Sequence, residues 1–201
     1  MGLDIAPTVY NNFVNEDEQH ELMEYASYLN DNGHFKALQF GGRDRKCVNI
    51  NNPFPKSQYP NNELVNRMVK KIEDNYNITN QVIDPFLGFL IGWIQPGGFL
   101  HYHNDMYKGI KTFVPGSPYS AAKNEMWPKS MQHNQNVRFN IMVSRGEDKS
   151  YDPIIDDKLV EVPKRSGWCF SATKYWHGTK VLVGTEPRIV YQFGFMVTPS
   201  T

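Results

Sequence analysis

The sequence predicts a mainly β fold, a sandwich or barrel, flanked by two helices near its N-terminus. Three observations carry that expectation. From residue 84 onward, about eight short apolar or alternating runs are separated by turn residues, the rhythm of sandwiches and barrels. Helical periodicity is confined to two stretches before residue 84. A chain of 201 residues, with no internal repeat and no long linker, fits one domain, 1–201, in which residues 1–83 act as helical support and 84–197 as the β core.

Residues 5 to 14 read as a short strand or extended lead-in. Asn15-Glu16-Asp17-Glu18 then signals a helix: Asn15 can cap it, Glu18 can close the capping box, and the acidic residues sit in the positive first turn. Leu22, Tyr25, Ala26 and Leu29 form its apolar stripe, and Asn30 to Gly33 ends it. A strand is expected around Lys46 to Ile50. A second helix follows from about Asn62 to Tyr76, with Leu64, Val65, Met68, Val69 and Ile72 on its buried side. Phe86 to Ile94 is apolar and aromatic and reads as a strand that continues through Pro96-Gly97-Gly98. Residues 106 to 136 lack periodicity and read as a lid or binding loop, with Tyr107, Tyr119 and Trp127 as pocket candidates. Further strands are expected at Val137 to Val143, Leu159 to Val162, Trp168 to Ser171, Tyr175 to Val183 and Arg188 to Val197.

Composition excludes several classes of function. The 21 basic residues balance 21 acidic ones, so no global field draws in nucleic acid or an anionic membrane. The longest apolar stretch, Pro85 to Ile94, is half of what a membrane span needs. Met1-Gly2 lacks the Ser or Thr at position 6 that myristoylation favours, and the Asn77-Ile78-Thr79 sequon has no consequence without secretion. Two cysteines, Cys47 and Cys169, are too few for a disulfide framework, and the start shows no signal-peptide pattern. A reducing, cytoplasmic setting is the expectation.

Chemistry concentrates in Gln95 to Asp105. On an extended strand His101, His103 and Asp105 point to one side, so an imidazole and a carboxylate can reach one metal ion together. With one more histidine they would make the two-histidine, one-carboxylate triad that leaves coordination positions open and suits non-haem Fe(II). In isolation the same residues also read as a surface turn. In the strand Val137 to Val143 the odd positions are apolar. Arg138 and Asn140 therefore look into a cavity if that apolar face packs outward, and meet water if it does not. His20, His34 and His133 read as surface residues.

Taken in order, Pro96-Gly97-Gly98, His103-x-Asp105, Gly167 to Ser171, His177 and Gly184-x-x-x-Arg188 resemble the 2-oxoglutarate- and Fe(II)-dependent oxygenases, in particular the prolyl 4-hydroxylase-like branch. The resemblance covers roughly residues 84 to 197. It implies a double-stranded β-helix core (jelly-roll, cupin-like), with His103, Asp105 and His177 on Fe(II), and 2-oxoglutarate and O2 in the open positions. Arg188 would hold the distal carboxylate of 2-oxoglutarate, since a guanidinium fork pairs with a carboxylate bidentately. Arg138, Asn140 and Thr179 are further candidates for binding the co-substrate. The implied reaction is oxidative decarboxylation to succinate and CO2, coupled to hydroxylation of a C–H bond. In many members a Ser or Thr two residues after the arginine helps bind that carboxylate. Here the position is Val190, and Thr179 or Gln192 could supply the contact instead. His101-x-His103 would suit a cupin metal pair, yet the glutamate and the second Pro-Gly-His motif of cupins are missing. His101 is then an inward polar neighbour or a plain histidine. A cupin-like hydrolase or isomerase and an inactive jelly-roll binding module are the competing readings. The primary substrate is not legible.

Overall fold

Asn15 starts the first helix, α1 (Glu16–Asp31), through a complete capping box: its side chain accepts from the Glu18 amide at 2.8 Å, and Glu18 accepts from the Asn15 amide at 2.9 Å. Lys71 of the second helix, α2 (Glu63–Asn75), then donates to Glu18 at 2.6 Å, so the cap also joins the helices. Burial of Glu18 raises its pKa, but the bonds from Lys71 and Asn15 outweigh it and leave the carboxyl below its ordinary value. Leu22, Ala26 and Leu29 of α1 and Leu64, Val65, Met68 and Ile72 of α2 are buried, as the helical spacing predicts.

The computed structural model describes residues 5–37, 42–51, 63–75, 81–84, 88–103, 105, 135–172 and 174–197. Its strands are β1 (Thr8–Tyr10), β2 (Lys36–Ala37), β3 (Gly42–Asn51), β4 (Gln81–Ile83), β5 (Phe89–Leu100), β6 (Gln135–Ser144), β7 (Pro153–Ile155), β8 (Lys158–Leu159), β9 (Gly167–Ser171), β10 (His177–Thr179) and β11 (Arg188–Val197). Asn104, the sequon at 77–79, and Tyr107, Tyr119, Trp127 and His133 lie outside the described residues. So does the expected 106–136 loop, except its last two residues, which open β6.

The large antiparallel sheet runs β1-β9-β6-β11-β5-β3-β2, with β4 also paired to β11, and a small sheet runs β10-β7-β8. These two sheets make the double-stranded β-helix. Residues 1–83 contribute more than helical support, because β1, β2, β3 and β4 all join the large sheet. Its outer face packs on the helices through Val48, Ile50, Phe89, Ile91, Phe139, Ile141, Tyr191 and Phe193. The Tyr191 hydroxyl donates to the Leu22 carbonyl at 2.7 Å, and Gln19 donates to the Val143 carbonyl at 3.0 Å, which pins α1 to that face. The inner face carries a second core, Met142, Trp168, Phe170 and Val190, packed with Ile155 of β7.

Two expected strands are shorter than their apolar runs. Of Leu159 to Val162 only Leu159 is in a strand, and of Tyr175 to Val183 only His177–Thr179. No described helix is long and apolar enough to cross a membrane. The cap gives a direct check on the helical layer. Asn15→Ala should lower stability by about 1 kcal/mol in urea unfolding, and an unchanged midpoint would show that the cap does not hold α1 in place.

Candidate active site

Two backbone hydrogen bonds bring distant histidines together. The chain leaves β5 after Leu100 and pairs back-to-back with the start of β10: His103 N donates to His177 O at 2.9 Å, and His177 N donates to His103 O at 2.6 Å. Gly178 lets the segments approach, because a Cβ there would lie 2.9 Å from the Leu100 carbonyl oxygen and from the Tyr102 Cα. Asp105 N then donates to the Ala172 carbonyl at 2.9 Å, which turns its carboxylate toward the histidines. One ligand atom from each of His103, Asp105 and His177 can be chosen so that all lie within 4.8 Å of one another.

The protonation pattern suits a cation. His103 Nδ1 lies 2.7 Å from the His101 carbonyl, and His177 Nδ1 lies 3.1 Å from the Tyr175 carbonyl. A carbonyl only accepts, so in the neutral ring Nδ1 carries the proton and Nε2 keeps its lone pair. Burial, helped by His103 and opposed by Asp105, pushes His177 down to about 4, so it is neutral at pH 7. For Asp105 burial acts upward, but Arg138, His177 and His103 together hold the carboxyl below its ordinary value. Its Oδ2 accepts from Arg138 Nε at 3.0 Å, while Oδ1 lies 3.6 Å from His103 Nε2. Two imidazoles and one carboxylate are therefore gathered close together, a donor set that fits a divalent transition metal. The His103 side chain is 39% exposed against 11% for Asp105, so the site opens to solvent on the His103 side.

Arg138 is buried on the inner face of β6, and it bridges two carboxylates. Its Nη2 lies 3.0 Å from Oδ2 of Asp84, a residue with no exposed surface. Gly194, its register partner on β11, clears the space, since a Cβ there would fall 2.2 Å from Arg138 Nη1. The sequence grouped Arg138 with the co-substrate ligands; in the structure its guanidinium is paired with Asp84 and Asp105. Asn140, beside it on the inner face, donates to the Trp168 carbonyl at 3.4 Å. Thr179 accepts from the Leu100 amide at 2.9 Å. Gln192 is half-buried, and Val190 belongs to the inner apolar core. His101 is exposed, edge-on to Phe99, because the chain past Leu100 is no longer a strand and alternation does not carry through. His20 is exposed, as expected, and His34 is half-buried near Tyr28.

Arg188 is buried at the start of β11, on the inner face. Its Nε donates to the Tyr151 carbonyl at 2.8 Å, its guanidinium lies over the Trp168 ring at 5.7 Å, and it forms no salt bridge among the described residues. Burial first and the neighbouring Arg45 second pull its pKa down to about 9, so it remains a cation at pH 7. Sequence reading missed two residues. Asp84 served only as a boundary before Pro85, and Arg45 fell just outside the expected strand, although it lies in the opposite phase to Val48 and Ile50.

No protein-family model matches the chain, and no curated protein matches it. Solved structures do. A Pseudomonas putida prolyl-4-hydroxylase is 11% identical with a TM-score of 0.58, covering 98% of this chain and 94% of that one. The viral collagen prolyl hydroxylase of Paramecium Bursaria Chlorella virus-1, in its 2-oxoglutarate complex, is 11% identical with a TM-score of 0.61, covering 95% and 96%. HygX from Streptomyces hygroscopicus, with nickel, 2-oxoglutarate and hygromycin B bound, is 10% identical with a TM-score of 0.61, covering 97% and 84%. The chain therefore shares the fold of these prolyl hydroxylases and of HygX.

The bridge through Arg138 is testable without any ligand. Arg138→Met leaves two carboxylates facing each other indoors, and should lower apo-protein stability by about 3–5 kcal/mol in denaturant unfolding. A loss below about 1 kcal/mol would show that the bridge is not closed in solution.

Proposed function

We propose that this chain is an Fe(II)- and 2-oxoglutarate-dependent dioxygenase that hydroxylates a C–H bond of a protein side chain or an amino-acid-like substrate, releasing succinate and CO2. The observation that carries the proposal is the convergence of His103, Asp105 and His177 at one point. Arg188, buried and without a carboxylate partner among the described residues, stands on the inner wall of the same barrel. The shared fold with 2-oxoglutarate complexes supports the co-substrate, and the prolyl hydroxylases among those structures support an amino-acid side chain as target.

Fe(II) bound to this triad would supply activation of O2 coupled to decarboxylation of 2-oxoglutarate. The residues around it have separable tasks. Both histidines offer Nε2 because backbone carbonyls hold their Nδ1 protons. Arg138 occupies one oxygen of Asp105 and leaves the other for the cation, which favours a single-oxygen attachment and open positions beside it. Arg188 anchors the far carboxylate of the co-substrate, and the Tyr151 carbonyl fixes the direction of its fork. Phe170, edge-on to His177, with Met142, Trp168 and Val190 of the same inner core, makes the wall apolar and limits water there.

Succinate formation from 2-oxoglutarate, read across a panel of peptides and free amino acids with Fe(II) and air, tests the reaction and the target together. His103→Ala and His177→Ala should each reduce it to background, and wild-type-like turnover in either variant would overturn the assignment. Arg188→Ala should raise the 2-oxoglutarate concentration needed for half-maximal turnover by about 100-fold or more, with metal still bound.

A further inference from the structure

We infer that Arg45 is a second cationic anchor for the co-substrate, sharing with Arg188 the carboxylate end of a linear dicarboxylate. This rests on the function proposed above.

Strand register places the two arginines together. Arg45 pairs with Ile94, and Ile94 pairs with Arg188, so they stand on either side of one residue across β3, β5 and β11. Pairing is regular from Arg45 to Asn49, and Val48 and Ile50 belong to the outer core, so Arg45, Cys47 and Asn49 face inward. Arg188 lies on the same inner wall. Two strand spacings separate the arginine backbones by about 10 Å, a gap that two such side chains close readily.

The other guanidiniums nearby are already committed. Arg138 holds two carboxylates, and Arg145 donates to Asp152 and to the carbonyls of Val162, Gly146 and Asp148. The Arg188 side chain donates only through Nε, and the Arg45 side chain has no hydrogen bond or salt bridge among the described residues. Two inward cations side by side repel unless an anion sits between them. Burial lowers the pKa of Arg45, while Cys47 and Asp105 act the other way, which puts Arg45 within electrostatic reach of the metal-site carboxylate as well as of Arg188. A dicarboxylate running from the triad to Arg188 passes that cation. Its distal carboxylate has lone pairs enough for more than one guanidinium. Of the positions the sequence suggests, Val190 is apolar, and Thr179 has one O–H left to donate once it accepts the Leu100 amide, so neutral donors there are few.

Calorimetric titration of the nickel(II)-loaded full chain tests this with two probes, 2-oxoglutarate and 2-oxobutyrate, the second lacking the distal carboxylate. Arg45→Met should weaken 2-oxoglutarate about 10- to 100-fold, leaving nickel affinity and 2-oxobutyrate affinity within about threefold of wild type. Arg45→Lys keeps a charge but not the fork. It should lose less, and it carries the test should the Met variant not fold. A 2-oxoglutarate affinity in Arg45→Met within about threefold of wild type, while Arg188→Met loses binding, would overturn this inference alone. Equal losses for both probes would also overturn it, marking Arg45 as structural. Failure of the wild-type chain to bind 2-oxoglutarate would remove the proposed function with it.

Discussion

The large sheet is covered on both faces, by helices on one side and by the small sheet on the other. Alternation along β6 and β11 therefore separates core from cavity, where on a one-sided sheet it would separate core from water. Val137, Phe139, Ile141 and Val143 go to the helices, and Arg138, Asn140 and Met142 go inward. Arginines are tolerated there only because something answers their charge. For Arg138 the answer is Asp84 and Asp105. For Arg188 and Arg45 no described carboxylate comes within ion-pair distance, and the proposed dicarboxylate co-substrate would supply one.

The candidate metal site depends on a different constraint. His103 and Asp105 lie past the end of β5, in a segment with one isolated bridge, so their placement comes from three main-chain bonds to His177 and Ala172. Those bonds join the end of β5 to β10 and to the turn after β9, which closes the barrel at the site. A change that loosens the junction loosens the ligands. This is why Gly178, which touches no ligand atom, belongs to the architecture of the site.

Much of this was legible in the residues. The Asn15 cap, both helical stripes, and β6 and β11 follow from spacing, because long periodic segments repeat their signal. The strands β2, β4 and β7 have two or three residues each, too few for a period to show. His103, Asp105, His177 and Arg188 were legible as an ordered set. Asp84 was not, because a buried aspartate before a proline looks like any turn signal. Arg45 was hidden because the expected strand began at Lys46, four residues after the start of β3. His101 went astray because alternation was extended beyond the strand that justified it.

Three side chains holding one metal ion, while an inward arginine receives the far end of the co-substrate, is the claim on which the proposed function turns. An anaerobic crystal structure with nickel(II) and 2-oxoglutarate tests it most directly. The predicted result is a single ion on Nε2 of His103, Nε2 of His177 and one oxygen of Asp105, with the distal carboxylate on Arg188. An ion bound elsewhere, or 2-oxoglutarate seated away from Arg188, would contradict it.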